Sequence, residues 1–357
     1  MEKRSKKYLS FILGAMLALL AATAGINYAV DPYGIYGDWK KGAAYPASDT
    51  YVRIHKTERI KRLKPDALVL GTSRADLGVN PKFFTGLNAY NAALSAANVY
   101  EQRMMLEFAQ RVHPLKKVII TLDLFTFNTL RLENRHFEED RVAPEALEPL
   151  QSFINTYGTL VTLDTLLVVK KHLRQIKHLD RESYPRPNGQ KLHNEGEWRS
   201  KNLGVNSIFW KSPNNLVLGA KEFSYNYSPK KGDDTFAQFR MMLDFCEREK
   251  IEAYLYFGPL HQVHLDGLKK DGRWKLFEDW KKRVTAIVAR TPYTLWDFAT
   301  YNSFTTEKIP PESDKVTQMQ YFWDTDHYKE KTGDIIQRKI LGLAGKNEYP
   351  DFGKKLL

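Results

Sequence analysis

The sequence predicts a three-layer α/β/α domain with a central, mostly parallel sheet, preceded by an N-terminal transmembrane helix. Short apolar runs such as DALVLG (66–71) and KKVIITLDLF (116–125) have the length and composition of buried parallel strands. Helical patterns separate these runs, and the alternation of strand and helix favours a doubly wound sheet. The transmembrane helix is predicted from an uncharged stretch at residues 8–30.

This stretch, YLSFILGAMLALLAATAGINYAV, would span a hydrocarbon core of about 30 Å as a helix. Residues 1–7, MEKRSKK, carry four basic side chains and one acid, so the positive-inside rule predicts a cytoplasmic tail and an extracytoplasmic C-terminal domain. Ala22-Thr23-Ala24 resembles a cleavage site, and a cleaved signal peptide is therefore the alternative. The apolar stretch continues past that site to Val30, which favours an uncleaved anchor.

The charge and cysteine content exclude some classes of protein. The 357 residues carry a formal charge of +12, but the basic side chains are scattered, with neither zinc-finger spacing nor an RNP-like aromatic motif. We therefore expect no nucleic-acid partner and interpret the charge as a basic outer face. Cys246 is the only cysteine, which excludes an internal disulfide, and its helical surroundings predict a buried side chain.

Residues 31–64 are predicted to form a membrane-proximal collar and a helix. The segment DPYGIYGDWKKGAAYP is rich in Gly, Pro and Tyr, which is typical of irregular structure. The segment SDTYVRIHKTERIKRL then predicts an amphipathic helix capped by Ser48 or Asp49. The globular domain would occupy residues 65–357.

Within this domain the strands and helices follow one another with one interruption. The strands DALVLG, NAYNAAL and KKVIITLDLF come first, with a helix near SAANVYEQRMMLEFAQRV. The alternation stops at about residue 130 and resumes after about 229 with the helix DTFAQFRMMLDFCEREK, the strand EAYLYFG, the helix WKLFEDWKKRVTAIVAR and the strand YTLWDF. Residues 130–229 are interpreted as an insertion that shapes or covers a cleft. This insertion has a helical part, SFINTYGTLVTLDTLLVVKKHLRQI, and a polar, loop-like part, DRESYPRPNGQKLHNEGEWRSKN.

The stretch LVLGTSRADLGVNP (68–81) places Ser73 directly after the first predicted strand. In an open parallel sheet, ligands bind beyond the carboxyl ends of the strands, so this serine is well placed to act on a substrate. A serine that only caps the following helix is the alternative interpretation.

A second stretch, QYFWDTDHYKEKTGDII, places Asp324 three residues before His327. A serine hydroxyl needs a neighbouring base, and that base needs a group that fixes its tautomer and stabilises its charged form. An Asp-x-x-His turn supplies both partners from one loop. Asp326 is a competing partner for His327.

The early Gly71-Thr72-Ser73 and the late Asp324-Thr325-Asp326-His327 together resemble the SGNH, or GDSL-like, hydrolase superfamily. The resemblance extends to membrane-anchored bacterial members related to the SGNH domains of alginate O-acetyltransferase-type proteins and of the D-alanyl transfer protein of teichoic acid synthesis. It covers about residues 66–343, with the insertion outside it. It implies a flavodoxin-like sheet, with Ser73 as nucleophile, His327 as general base and Asp324 as the orienting carboxylate.

The resemblance also implies a function. The expected protein is a single-pass protein of the bacterial cytoplasmic membrane with a periplasmic domain. This domain would be an esterase or O-acyltransferase that acts on acyl esters of a cell-envelope polysaccharide, with acetyl as the expected acyl group. Its expected partners are the polysaccharide or an acyl donor, the membrane and other envelope-biosynthesis proteins, with no cofactor and no metal. The alternative is a non-catalytic scaffold that keeps the SGNH fold and binds envelope polymer or a partner protein.

The chain departs from the family pattern where the oxyanion donors are expected. The second family block usually has a glycine and the third a Gly-x-Asn-Asp, whereas this chain has NAALSAANVY and TLDLFTFN. The substitutes that the sequence offers are the backbone N–H of Ser95 or Ala96 and three side chains, those of Asn91, Thr126 and Asn128. This departure favours the scaffold alternative.

Four further side chains are candidates for binding. Arg74 would receive an anionic substrate group or form an ion pair. His261 and His264, in GPLHQVHLDG, would bind a metal or, as part of a loop, contact substrate. Trp323 would stack on a sugar ring or pack in the core.

Overall fold

The strands form where the sequence has short apolar runs, and together they build one central sheet. The computed structural model describes residues 2–36, 51–130, 137–178, 184–211, 223–226, 234–345 and 347–357. Its strands are β1 (Ala67–Leu70), β2 (Ala89–Asn91), β3 (Lys117–Leu122), β4 (Tyr184–Pro185), β5 (Lys191–Leu192), β6 (Glu252–Phe257), β7 (Thr294–Asp297) and β8 (Lys354–Lys355).

The central sheet has the order β2–β1–β3–β6–β7–β8, and β4 pairs with β5 in a separate hairpin. The first five strands of the central sheet are parallel and β8 is antiparallel to β7. Along the chain, β2 is added on one side of β1, whereas β3 and all later strands of this sheet are added on the other side. The carboxyl ends of β1 and β3 therefore meet at the point where the strand order reverses, where ligands bind in such sheets.

The helices cover both faces of this sheet. Within the described residues they are α1 (Glu2–Val30), α2 (Val52–Leu63), α3 (Ser73–Gly78), α4 (Val99–Val112), α5 (Pro149–Tyr157), α6 (Leu163–Gln175), α7 (Asn194–Leu203), α8 (Val205–Lys211), α9 (Thr235–Arg248), α10 (Gln262–Lys270), α11 (Trp274–Val288) and α12 (Glu330–Ile340).

Alternate residues of each strand point to opposite faces, which produces two cores. Leu68 and Leu70 of β1 pack with α2, α4, α9, α10 and α11. Ala67 and Val69 pack with α3, α8 and α12. The three-layer α/β arrangement with a mostly parallel sheet is therefore as predicted.

The helix α1 is long and apolar enough to cross a membrane, and most of its side chains are exposed. Its mean hydropathy reaches 2.2 over 18 residues between Arg4 and Val30. Near its C-terminal end, where Thr23 and Asn27 are buried, α1 packs against α6 and the turn Gly158–Val161. The predicted apolar run at 8–30 thus forms one continuous helix.

Helices α3 and α12 cross closely because both carry glycine at the crossing point. A Cβ atom on Gly333 would lie 1.8 Å from the backbone oxygen of Gly78, and one on Gly78 would lie 2.1 Å from the ring of Tyr328. Ser73 begins α3, and His327 directly precedes Tyr328. The close crossing of α3 and α12 therefore fixes the distance between the segments that carry Ser73 and His327.

Several sequence predictions need correction. The polar part of the insertion, expected as a loop, contains the β4–β5 hairpin and α7. This part packs on α3, because Gln190 Nε2 donates to Leu77 O at 3.0 Å. The helical part is two helices that meet at 66°, and α6 packs on α1.

Other corrections concern shorter segments. The GPLHQVHLDG segment, expected as a loop, starts α10. The helix α2 is not amphipathic, since Val52 to Ile60 are all buried. The strand β8 was not expected. Ser48 and Asp49, the predicted caps of α2, lie outside the described residues.

Candidate active site

Ser73 stands at the carboxyl end of β1, as the first residue of α3. The cap of this helix is the preceding residue, Thr72, whose side-chain oxygen accepts from the backbone N–H of Arg74 at 3.4 Å. Gly71 has a φ of +154°, and a Cβ at this position would lie 2.8 Å from the Cβ of Ala75. The serine side chain is therefore not used as the helix cap, and it remains partly exposed.

Asp324 and His327 lie in the turn that precedes α12. Its ends are joined by a hydrogen bond from Trp323 N to His327 O at 2.8 Å. Asp324 Oδ1 accepts from the backbone N–H of Asp326 at 2.9 Å and of His327 at 2.8 Å. The turn is thus folded around the Asp324 carboxylate, which holds that carboxylate beside the imidazole.

Ser73 and the turn that carries Asp324 and His327 are joined in one series of hydrogen bonds. Asp324 Oδ2 lies 2.8 Å from His327 Nδ1, and His327 Nε2 lies 2.8 Å from Ser73 Oγ. Because Nδ1 faces a carboxylate it carries a proton, so in the neutral imidazole Nε2 accepts from the serine hydroxyl. Such a geometry can remove the hydroxyl proton as the oxygen attacks a carbonyl carbon.

Asp326 also approaches the imidazole, and it is fixed by Arg74. Its Oδ1 lies 3.2 Å from His327 Nδ1, and its Oδ2 accepts from the Arg74 guanidinium at 2.9 Å. The other side of that guanidinium donates to Asp123 Oδ1 at 2.6 Å. Asp123 directly follows β3 and also accepts from Thr72 Oγ1 at 2.5 Å. Arg74 is 4% exposed, so it forms a buried bridge and is not open to an anionic substrate group.

The charges of this cluster control the protonation of His327. Burial lowers the pKa of His327, but the carboxylates of Asp324 and Asp326 outweigh it and raise that pKa well above 6.5. Burial raises the pKa of Asp326, whereas the charges of His327 and Arg74 bring it well below its usual value. The site therefore favours the imidazolium, which a general base forms during acyl transfer.

The three side chains predicted as oxyanion donors are used elsewhere. Asn91 is fully buried, and its amide donates to Ala75 O at 2.9 Å and Val79 O at 2.7 Å, which holds α3 on the sheet. Thr126 donates to Asp123 O at 2.8 Å within a 3₁₀ turn. Asn128 Oδ1 accepts from the backbone of Leu130 and Ser224. Asn91 and Thr126 therefore donate to buried backbone oxygens, and Asn128 holds two backbone N–H groups through its carbonyl oxygen.

The loop after β2 does reach the site. Leu94 N donates to Gly71 O at 3.1 Å, so Ser95 follows at the same edge of the sheet as Ser73. Within the described residues, the backbone N–H groups of Ser73, Ser95 and Ala96 donate to no acceptor of the protein. The backbone candidates of the sequence analysis are therefore placed beside the serine.

His261 and His264 do not form a metal pair. His261 is fully buried as the N-cap of α10, with Nε2 donating to Glu307 O at 2.8 Å and Nδ1 accepting from Val263 N. His264 is also buried, and burial lowers its pKa to about 4. Its Nδ1 has no partner within the described residues and lines a cavity of about 10 Å³ behind Arg74, which has room for about one water molecule.

Trp323 borders the site together with a residue of the insertion. Its ring meets that of His193 edge-on at 5.3 Å, and Lys329 Nζ lies 4.3 Å above it. Burial and then the charge of His327 lower the pKa of His193 well below 6.5. The half-buried Trp323 ring and the residue before α7 thus form one wall beside the imidazole.

Asp324, Asp326 and His327 have ligand atoms within 4.8 Å of one another, a spacing that would also suit a metal ion. Arg74 already neutralises Asp326, and Asp324 is occupied by two backbone N–H groups and the imidazole. The charge and hydrogen bonding of the cluster favour a proton-transfer site over a cation site.

Some residues of the site were not recognised from the sequence. Asp123 could have been noticed, because an acid directly follows the strongest predicted strand. His193 carries no such signal, since it lies in a polar segment far along the chain from Ser73. A scan against protein-family models gave no match, and a search of curated proteins found no relative.

Proposed function

We propose that the chain is a membrane-anchored, SGNH-like serine esterase or O-acyltransferase. The observation that carries this proposal is the hydrogen-bonded series Ser73–His327–Asp324, with 2.8 Å at each of its two links. It joins residues 254 positions apart in the sequence, at the edge of the sheet where ligands bind. The partly exposed Ser73 and His327 leave this series open to a substrate.

The reaction uses these groups in order. Ser73 Oγ bonds to the acyl carbon as its proton passes to His327 Nε2, and the negative charge develops on the carbonyl oxygen. We assign the oxyanion donors to the backbone N–H groups of Ser73 and of Ser95 or Ala96. The imidazolium then protonates the leaving oxygen, the acyl–oxygen bond breaks and an acyl-serine remains.

The acceptor completes the cycle. His327 takes a proton from water or from a sugar hydroxyl as that oxygen attacks the acyl carbon. The bond from this carbon to Ser73 Oγ then breaks, and Oγ takes the proton back from the imidazolium. Water as acceptor gives an esterase, and a sugar hydroxyl gives an O-acyltransferase. The resemblance to envelope-modifying SGNH proteins and the N-terminal anchor support acetyl groups on a periplasmic cell-envelope polysaccharide as the substrate.

The basic flank of α1 supports the topology. Residues 1–7 would stay in the cytoplasm, and the domain would lie outside the bacterial cytoplasmic membrane. A periplasm-dependent reporter fused after Leu357 should be active. An inactive reporter on a stable fusion would exclude both this topology and the periplasmic substrate.

A non-catalytic scaffold is the second candidate, and one observation favours it. The side-chain donors of Asn91 and Thr126 bond to backbone oxygens of the fold, so they are not available to an oxyanion hole. Loss of one such donor typically costs about 10²–10³ in rate.

Labelling with a fluorophosphonate separates the two candidates. The purified full-length protein should become labelled, and Ser73→Ala should not, because the probe bonds to an activated serine oxygen. Ser303→Ala, which changes a serine near the surface and away from α3, is the control and should label like the wild type. Turnover of a small acetyl ester and transfer to an oligosaccharide should be measured on the same samples. Polymer binding that Ser73→Ala leaves unchanged, without turnover, would favour the scaffold.

A further inference from the structure

The helices α5 and α6 expose apolar side chains that a water-soluble domain would bury. Leu150 is 72% exposed, Phe153 61%, Leu163 69% and Leu167 70%. The spacing of the exposed residues on α5, at 150, 153, 154 and 157, is that of one helix face. Contiguous exposed apolar surface of this kind marks a site of contact with a protein or a membrane.

Three polar side chains of the same two helices point towards the protein. Asn155 is 6% exposed and donates to Asp140 O at 2.9 Å. Thr165 is 2% exposed and His172 is 6% exposed. An exposed apolar face beside buried polar groups is expected where the outer face meets a non-aqueous medium. The exposed charged residues of α6, which are Asp164, Lys170, Lys171 and Arg174, suit a position at the boundary between that medium and water.

The position of the two helices identifies that medium. Asn27 of α1 donates from Nδ2 to Leu160 O at 2.8 Å and to Thr162 O at 3.3 Å, at the bend between α5 and α6. Asn27 lies three residues before the end of α1, about 5 Å along the helix axis. The bend is thus fixed at the depth where the apolar helix α1 leaves the hydrocarbon.

Aromatic side chains lie near the bend between α5 and α6, and α6 carries exposed basic side chains. Tyr36 stacks on Tyr157 at 6.0 Å and lies 5.4 Å from the ring of Tyr28, which joins α1, the following turn and α5. Tyrosine is enriched at membrane–water interfaces. Lys170 and Lys171 of α6 are exposed, and such residues attract anionic lipid headgroups.

We propose that the α5–α6 hairpin lies in the outer interfacial layer of the bilayer, with its exposed apolar face among the lipid acyl chains. The occupant of this face is lipid, because the face is continuous with the end of the lipid-exposed helix α1. This inference rests on the membrane-spanning role of α1 in the proposed function. The hairpin is then a second membrane contact that restricts rotation of the domain about its single anchor.

The helix α2 connects the membrane-proximal part of the protein to the candidate active site. His55 Nδ1 lies 3.0 Å from Tyr33 O, just beyond α1. The next residue, Lys56, donates from Nζ to Asp76 Oδ1 at 2.6 Å and to Ala93 O at 2.6 Å, both fully buried. Asp76 lies on α3, and Ala93 lies in the loop that leads to Ser95. The hairpin and the nucleophile helix are therefore parts of one connected framework.

Spin labels at single cysteines test this proposal in the full-length protein, reconstituted in vesicles of phosphatidylethanolamine and phosphatidylglycerol. The variants are Leu150→Cys and Leu167→Cys on the hairpin, Leu17→Cys in the middle of α1, and Val316→Cys, which is 85% exposed on another loop. The native Cys246 is buried, and burial raises its pKa to about 12, so it should not react with the label. Unmodified protein treated with the label provides the background.

Collisions of the label with oxygen, which dissolves in lipid, are compared with collisions with a water-soluble nickel complex. We expect the hairpin labels to have a several-fold higher ratio of oxygen to nickel collisions than Val316→Cys, and a lower ratio than Leu17→Cys, because the hairpin lies nearer the membrane surface. Hairpin labels that match Val316→Cys, while Leu17→Cys remains in lipid, would overturn the hairpin proposal and leave the anchor intact. Hairpin labels that neither reagent reaches would overturn it in favour of a protein partner or a second copy. A nickel-accessible Leu17→Cys would exclude the membrane span itself.

Discussion

The edge of the sheet that carries Ser73 and the α5–α6 hairpin depart from the usual pattern of burial in opposite ways. At this candidate-site edge, charged side chains are buried and paired, as in Arg74 with Asp123 and Lys56 with Asp76. On the hairpin, leucines such as Leu150 and Leu167 are exposed. A buried charge must be held by partners, whereas an exposed leucine needs a neighbour from outside the chain.

The two regions differ in what their unusual residues contribute to the folded domain. Buried ion pairs add little to stability relative to apolar residues, but they fix groups in one geometry, and removing one partner is costly. The exposed apolar face contributes little to the folded domain in water. Substitutions at the edge should therefore change chemistry and folding together, and substitutions on the hairpin should change neither strongly.

The largest effect is expected at the candidate-site edge, from loss of Ser73 or His327. Ser73→Ala and His327→Ala should each reduce turnover of an acetyl ester on the order of 10⁴-fold or more, because the hydroxyl is a weak nucleophile without its base. The double variant should be scarcely worse than either single variant. Asp324→Asn should be milder, since Asp326 Oδ1 also lies near His327 Nδ1, at 3.2 Å.

These rates must be compared at matched folding, measured by circular dichroism. Losses that simply multiply in the Ser73→Ala/His327→Ala variant would mean that the two residues act independently. Full activity in Ser73→Ala, with loss in Asp326→Ala or His261→Ala, would contradict the assignment of the nucleophile.

The second effect concerns the buried bridge. Arg74→Met should lower the free energy of unfolding by about 3–5 kcal/mol, because the buried Asp123 and the partly buried Asp326 lose their common partner. Lys201→Met, which removes an exposed ion pair with Glu197, is the control and should change little. Chemical denaturation of the detergent-solubilised protein measures both. An Arg74→Met protein as stable as the control would show that the bridge does not hold the edge together.

The same contrast explains how much the sequence could predict. The strands β1 and β3 and the order of Ser73 before Asp324 and His327 follow from local patterns, namely an apolar run that ends at glycine and an Asp-x-x-His spacing. The geometry of the series depends on the crossing of α3 and α12. No single segment of the sequence carries that information.

The differences between sequence and structure have the same origin. Asn91 and Thr126 are predicted near the oxyanion because they are polar and follow strands, whereas in the fold each donates to a buried backbone oxygen. The charges of α2 indicated an exposed face, whereas Arg53 and Lys56 are buried against acids supplied by α4 and α3. Such partners are far apart in sequence, so only the tertiary structure reveals them.

A third prediction concerns pH. The general base must be neutral, so activity should rise as pH rises through the pKa of His327, which the two carboxylates raise well above 6.5. Asp326→Asn removes one of these negative charges and should lower that pKa. The acidic limb of kcat/KM should then move to lower pH. Asp314→Asn, on an exposed loop, should leave the limb in place. An unchanged limb in Asp326→Asn would show that Asp326 acts only through Arg74.

The smallest effect is expected on the hairpin, where two adjacent residues of α6 allow a matched test. Leu167 is 70% exposed and Val168 is 8% exposed, so these adjacent residues of one helix turn point to different sides, one outward and one towards the protein. Leu167→Ser should change the free energy of unfolding in detergent by no more than about 0.5 kcal/mol, because few protein atoms surround the leucine. Val168→Ser should cost more, since it places a hydroxyl among Tyr33, Ile35 and Ile54. Denaturation curves of both variants, with acetyl-ester turnover as a second readout, make the comparison. If Leu167→Ser were as destabilising as Val168→Ser, the leucine would be packed against protein, and the two regions would follow one rule of burial.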